Sequence, residues 1–115
     1  MGDFKLGKKE RITKKSEFRT ITKGSGRYTT QNFIIIIYRN NREIRRLGIS
    51  VSKKVGGAVK RNRVKRLVRE FFRLNKDQLP ESSDFLFIAK PGSIQLNYST
   101  LSEEMLEFFK HFSAV

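Results

Sequence analysis

Arg61, Arg63, Lys65, Arg66, Arg69 and Arg73 stand with Lys60 and Asn62 in the run KRNRVKRLVREFFR, where Glu70 is the only acid. A guanidinium grips a phosphate through two parallel hydrogen bonds, and a lysine adds a point charge. The chemistry these residue types can do is recognition of a polyanion, not bond breaking. Asn62, between two arginines, adds a group that both donates and accepts, which a bare phosphate clamp does not require. On a helix Arg61, Lys65, Arg69 and Arg73 stand four apart. Like charges at that spacing repel, and ordinary surface helices mix signs to avoid it. A solvated face is the plainer account of a charge run, but the near absence of acids on this flank favours contact with phosphates of nucleic acid.

Residues able to break bonds are sparse. The single histidine, His111, sits close to the C-terminus and reads as a partly exposed helix residue. Glu103 and Glu107 stand four apart and could together face a metal, and Asp84 is a further isolated acid; a solvated helix face explains the glutamates as well. Hydrolysis by the protein itself would need clustered carboxylates or a histidine acid–base pair, so no catalytic residue and no metal ligand is assigned. Gly56-Gly57 is too short to cradle a phosphate on its own signature. With no cysteine, disulfides and thiolate metal sites are excluded.

The charge of the whole chain agrees with the motif. It has 115 residues, the length of one small domain, and a net charge of +14. Residues 1–76 hold 23 of the 25 Lys and Arg, whereas residues 77–115 are net acidic. Self-repulsion of this size is relieved by a polyanion, nucleic acid first and an anionic membrane second. No stretch approaches the roughly 20 apolar residues of a membrane span, and the N-terminus lacks a secretory apolar core. The expectation is a cytoplasmic protein.

The elements that position these residues follow from periodicity. Residues 1–12 are basic and aperiodic and read as a flexible arm. Thr13 is the expected cap of a short helix over about 14–23, stopped at Gly24 and carrying Phe18 and Ile21 on one face. Phe33–Tyr38, FIIIIY, reads as a central strand apolar on both faces. Leu47, Ile49 and Val51 alternate with small residues in a second strand, expected to pair with the first as a hairpin. The basic helix carries the apolar stripe Val64, Leu67, Val68, Phe71 and Leu74 and ends near Asn75. Phe85–Lys90 is a third strand. Thr100 and Glu103 form a capping box for a last helix with Leu101, Met105, Phe108, Phe109 and Phe112 on one face. The order α-β-β-α-β-α gives an α+β sandwich with helices on a small sheet. Phe18, the FIIIIY strand with Phe33, and Lys53-Lys54 form a second candidate surface, suited to a single strand by stacking and charge. Core packing for the phenylalanines and a solvated strand end for the lysines remain the alternatives.

The run Leu47-Gly48-Ile49-Ser50-Val51-Ser52-Lys53-Lys54-Val55-Gly56, continued by Ala58-Val59-Lys60-Arg61-Asn62-Arg63-Val64-Lys65-Arg66-Leu67-Val68-Arg69-Glu70, resembles the signature of the bacterial ribonuclease P protein subunit. Arg11-Ile12, Lys14-Lys15, Glu17-Phe18 and Ile88-Ala89-Lys90-Pro91 extend the resemblance over residues 10 to 112. It implies a two-layer α-β sandwich, with three helices on a mixed sheet of about four strands. One short strand would lie near Arg27 to Thr30, and the β-α-β crossover would be left-handed, against the general preference. It also implies an accessory subunit that binds a catalytic RNA and the single-stranded 5′ leader of precursor tRNA. Hydrolysis is left to that RNA and its Mg2+; no protein partner or membrane is required. By the resemblance Arg61, Asn62, Arg63, Lys65, Arg66 and Arg69 meet the catalytic RNA. Phe18, Ile36, Lys53, Lys54, Ala89 and Lys90 fall in or beside the leader cleft with Phe33, while Arg11, Lys14 and Lys15 make weaker basic contacts. Ile36 and Thr22 stand where many relatives carry aromatics, so stacking would fall to Phe18 with Tyr38 or Phe33. A ribosome-associated structural RNA-binding protein is the alternative reading.

Overall fold

A computed structural model describes residues 6–23 and 26–113. Helix α1 spans Lys15–Lys23, strand β1 Gly26–Thr29, β2 Phe33–Arg39 and β3 Arg46–Ser50. Helix α2 spans Ala58–Asn75, β4 Ser83–Ala89 and α3 Tyr98–Ser113, with single 3-10 turns at Lys8–Glu10, Lys76–Gln78 and Pro91–Gln95. The four strands form one mixed sheet in the order β1-β2-β4-β3. β4 runs antiparallel to β2 and parallel to β3.

That order overturns the expected hairpin. β2 and β3 are not hydrogen-bonded to each other, because β4 lies between them. Parallel neighbours need a long connection, and α2 supplies it between β3 and β4. The family-implied short strand is present as β1, one residue earlier than expected. FIIIIY is covered on both faces, as its composition requires. Phe33 and Ile35 point into a large core with Phe85 and Phe87 of β4 and Val64, Val68, Phe71 and Phe72 of α2. Leu101, Met105 and Phe109 of α3 complete that core. Ile36 points the other way, into a smaller cluster with Ile12, Ile21 and Leu86 beneath α1.

Edge-to-face rings consolidate the larger core: Phe33 on Phe87 at 5.8 Å, Phe72 on Phe85 at 5.9 Å and Phe85 on Phe109 at 5.8 Å. Phe33, Phe72, Phe85 and Phe87 are wholly buried, each stabilising the fold by about 1.5–3 kcal/mol through burial alone.

Local expectations shift in several places. The segment read as a flexible arm is packed from residue 6 onward: Leu6 and Ile12 are buried. The Ile12 amide donates to the Leu47 carbonyl at 2.9 Å, and Arg11 bridges to Leu47 along the outer edge of β3. Residues 1–5 and the expected stop at Gly24 lie outside the described residues. The carbonyl of Lys14 accepts the first α1 bonds, from Glu17 and Phe18, so the cap position falls at Lys14 rather than Thr13. Leu74 is 53% exposed rather than part of the stripe; Phe72 takes its place in the core. The α3 box sits three residues upstream of Thr100–Glu103. The Asn97 side chain accepts from the Thr100 amide at 2.8 Å, and the Thr100 hydroxyl accepts from the Asn97 amide at 3.0 Å.

Candidate nucleic-acid interface

Helix α2, about 27 Å long by its residue count, is anchored by Val64, Val68, Phe71 and Phe72 and turns its cations outward. Asn62, Arg63, Arg66 and Arg69 are exposed, and Arg61 and Lys65 are half-buried. The helix begins after Gly57 with no acid in its first turn. Its positive dipole end therefore adds to the cations instead of being offset by a carboxylate. The Arg61 Nε is enclosed and has no hydrogen-bond partner in the protein. Arg63 reaches the Ile94 carbonyl through Nη1 at 3.4 Å. Removal from water, reinforced by the nearby charge of Arg11, pulls Arg69 below the ordinary arginine pKa. An anion placed there would offset both by favouring the charged guanidinium.

Arg11, Lys65 and Arg69 meet Phe18 around a hollow of about 240 Å³, with Leu6, Ile12 and Ile49 at its apolar wall. This hollow joins the α2 flank to the second candidate surface, where α1 lies over the sheet. Strand register assigns that face: Ile34, Ile36 and Tyr38 on β2 share it with Leu86 and Ile88 on β4 and Gly48 and Ser50 on β3. Phe18 packs over Gly48. A Cβ on Gly48 would stand 3.0 Å from the Phe18 Cζ, so a side chain at this position would displace the ring.

The expected leader residues separate on this geometry. Phe18 is half-buried at the rim and lies on the α1 face. Phe33 does not belong there: it is wholly buried on the opposite face against Phe87 and has no ring surface for a base. Ala89, its antiparallel partner, also packs into that larger core. Ile36 is on the correct face but only 1% exposed beneath α1, so it is part of the support, not the contact surface. Thr22 is exposed, and its hydroxyl donates back to the Phe18 carbonyl at 2.7 Å. With threonine and isoleucine at positions 22 and 36, the rings at this face are Phe18 and the half-buried Tyr38. Lys53 and Lys54 are exposed in the turn after β3. Lys90 is half-buried, its ammonium donating to the Thr30 carbonyl at 2.7 Å and its amide to the Asn32 carbonyl at 2.9 Å. Lys14 and Lys15 are exposed where α1 begins.

Sequence reasoning missed an ionic cluster beside this face. Arg46 on β3 forks onto Asp84 of β4, Nε to Oδ1 at 2.9 Å and Nη2 to Oδ2 at 2.7 Å. Its Nη1 donates to Glu17 of α1 at 3.1 Å. Hydrogen bonding to Asp84 raises the Arg46 pKa further above its ordinary value; burial opposes this, and Glu17 adds to it. The one available signal was positional: Arg46 precedes the small residues Gly48 and Ser50 on one side of its strand.

The acids of α3 lie elsewhere. Glu104 accepts from the Thr30 hydroxyl and from both the amide and side chain of Asn32. Glu107 pairs with His111 at 2.6 Å. Glu103 is exposed, and the reciprocal cap is made by Asn97 and Thr100 instead. Among the described residues no three acidic or imidazole groups form a metal-holding set, and no helix is long and apolar enough to cross a membrane.

The family profile of Ribonuclease P matches residues 6–113. The ribonuclease P protein component of Syntrophus aciditrophicus is 43% identical over 105 residues, covering 91% of this chain and 88% of that one. That of Geotalea uraniireducens is 44% identical over 105 residues, covering 91% and 92%. Among solved structures, the RNase P protein from Thermotoga maritima superposes with a TM-score of 0.81 at 31% identity, covering 89% of this chain and 96% of that one. A Staphylococcus aureus RNase P protein mutant with defective mRNA degradation activity gives a TM-score of 0.84 at 31% identity, covering 92% and 90%. The same mixed sheet and three helices recur, and the matches run almost end to end: the chain belongs to the ribonuclease P protein family and is a protein subunit of that enzyme.

Proposed function

We propose that this subunit uses two adjoining surfaces for two RNAs. The outer flank of α2, with Arg61, Asn62, Arg63, Lys65, Arg66 and Arg69, meets the catalytic RNA. The face under and beside α1, with Phe18, Tyr38, Lys53, Lys54 and Lys90 at the end of β4, holds the single-stranded 5′ leader of precursor tRNA. Arg11, Lys14 and Lys15 add positive potential at the start of α1. Hydrolysis falls to the RNA and its Mg2+, in the cytoplasm. The protein's share is to neutralise phosphates that would otherwise keep the two RNAs apart, an electrostatic and positioning role.

The observation that carries this reading is the hollow where Arg11, Lys65 and Arg69 meet Phe18, since it makes the two surfaces continuous. The test is reconstitution with a bacterial ribonuclease P RNA across a Mg2+ titration. The protein is expected to lower the Mg2+ concentration needed for cleavage of a leader-bearing precursor. An unchanged Mg2+ requirement would overturn the reading, and would suit a ribosomal RNA-binding protein instead.

A further inference from the structure

We propose that Arg46 is a positioning residue that sets α1, and with it Phe18, at a fixed height and angle over the leader face. The inference rests on the leader reading above. α1 has nine residues, too few to be stable alone in water, so its placement must come from what it touches. Its entry is tied by the Ile12–Leu47 hydrogen bond and its underside by Ile21 against Ile36 and Leu86. These contacts leave rotation about the helix axis weakly fixed, because apolar contact is not directional.

Arg46 supplies the direction. Its two bonds to Asp84 lock the guanidinium plane, as a fork does and an ammonium cannot. Asp84 is itself fixed: it is 1% exposed and also accepts from the Asn40 side chain at 2.7 Å. That amide additionally donates to the Ile44 carbonyl at 3.1 Å. The remaining Arg46 nitrogen therefore has one orientation, and Glu17 meets it. Glu17 directly precedes Phe18 in the chain. Two residues along β3 from Arg46, on the same face, Gly48 leaves the space the Phe18 ring fills. One strand thus presents a charge that pins the helix and then a gap that takes its aromatic. A buried pair of this kind adds little net stability, so the expected consequence is geometric.

The test compares Glu17→Ala, Glu17→Gln, Arg46→Lys and Phe18→Ala in reconstituted holoenzyme, using precursor tRNA with a long leader or a single-nucleotide leader. Glu17 is 30% exposed at its side chain, so its variants are expected to fold and to bind the catalytic RNA as the unmodified protein does. Glu17→Ala is expected to raise KM about tenfold for the long leader only, with kcat at saturation within about twofold. Arg46→Lys, which loses the fork, is expected to match it. Glu17→Gln, which keeps an acceptor for Nη1, is expected to recover most of the loss. Simple electrostatics gives the opposite sign, since deleting a carboxylate beside an anionic strand tightens binding. If Phe18→Ala shows the long-leader defect and Glu17→Ala does not, the positioning role is overturned; the same holds if Glu17→Ala affects both substrates equally. If Phe18→Ala shows no leader-specific defect, the leader reading itself fails.

Discussion

Helices α2 and α3 pack on the same side of the sheet through phenylalanines, Phe71 and Phe72 from one and Phe109 with half-buried Phe108 from the other. Their inner faces are nearly interchangeable in chemistry; their outer faces are opposite. α2 turns out Asn62, Arg63, Arg66 and Arg69, with no acid in its first turn, while α3 turns out Glu103 and Glu107. The α3 side also forms a hollow of about 1050 Å³, where Tyr28 meets Phe108 and Phe112 beside these glutamates. A shared core fixes where each helix lies, and the residues left over decide what each can meet. On the proposed reading, an RNA drawn to α2 would be turned away from α3, and the charge asymmetry would orient the subunit as well as attract its partner.

The contrast breaks most visibly with salt. If α2 and its neighbours neutralise about six phosphates, log K should fall with log salt at a slope of roughly −4, on the order of 300-fold between 50 and 200 mM. Fluorescence titration against the catalytic RNA measures it, and a slope near zero would remove electrostatics as the basis. Next in size is the Arg61→Ala, Arg63→Ala double variant, expected to weaken RNA affinity about 30-fold, since each lost hydrogen bond costs about 1 kcal/mol and the two together about 2 kcal/mol. Both residues lie off the buried stripe, so the thermal midpoint should hold. The matching Glu103→Gln, Glu107→Gln change on α3 should alter affinity by less than about twofold, because screening cuts off charges more than about 10 Å away. Comparable losses from both helices would erase the distinction between them.

The smallest expected effect is at the N-terminal segment, where Glu10 pairs with Lys76 after α2. Burial pushes the Glu10 carboxyl up, but hydrogen bonds from Lys76 and the Gly7 amide outweigh it and hold the pKa below its ordinary 4.5. A depressed acid stabilises the folded state above its unfolded pKa and loses that contribution as pH falls through the folded value. Glu10→Gln should therefore cost a few tenths of a kcal/mol near neutrality and nothing in strong acid. Denaturant midpoints across pH would show whether the two curves converge.

Much of this was legible from pattern. The α2 stripe and its basic flank follow from a helical period, and the central position of β2 from a run apolar on both faces. That same run hid which face each residue takes. With no polar residue to mark parity, Phe33 and Ile36 could not be sorted, and they point to opposite sides. β1 was invisible to periodicity because all four of its residues are exposed and none alternates. The Arg46–Asp84 fork joins residues 38 positions apart, and no local rule reaches across that separation. The misplaced α3 box has a simpler origin: Thr100 fits the cap pattern, but Asn97 fits it earlier and takes Thr100 as its reciprocal partner.

The strand that separates β2 from β3 is also the last of the four to be synthesised. While the chain is being made, β2 and β3 are joined by a short polar turn, and the partner each will finally have does not yet exist. Sheet closure must await α2, whose length spans the gap, and then the threading of β4 into the middle. A ladder formed early between the first two long strands, the arrangement their sequence invites, must come apart before the native order can form. Non-local pairing of this kind carries its entropic cost before any reward, so the topology that builds the basic helix into a crossover also makes the sheet slow to complete.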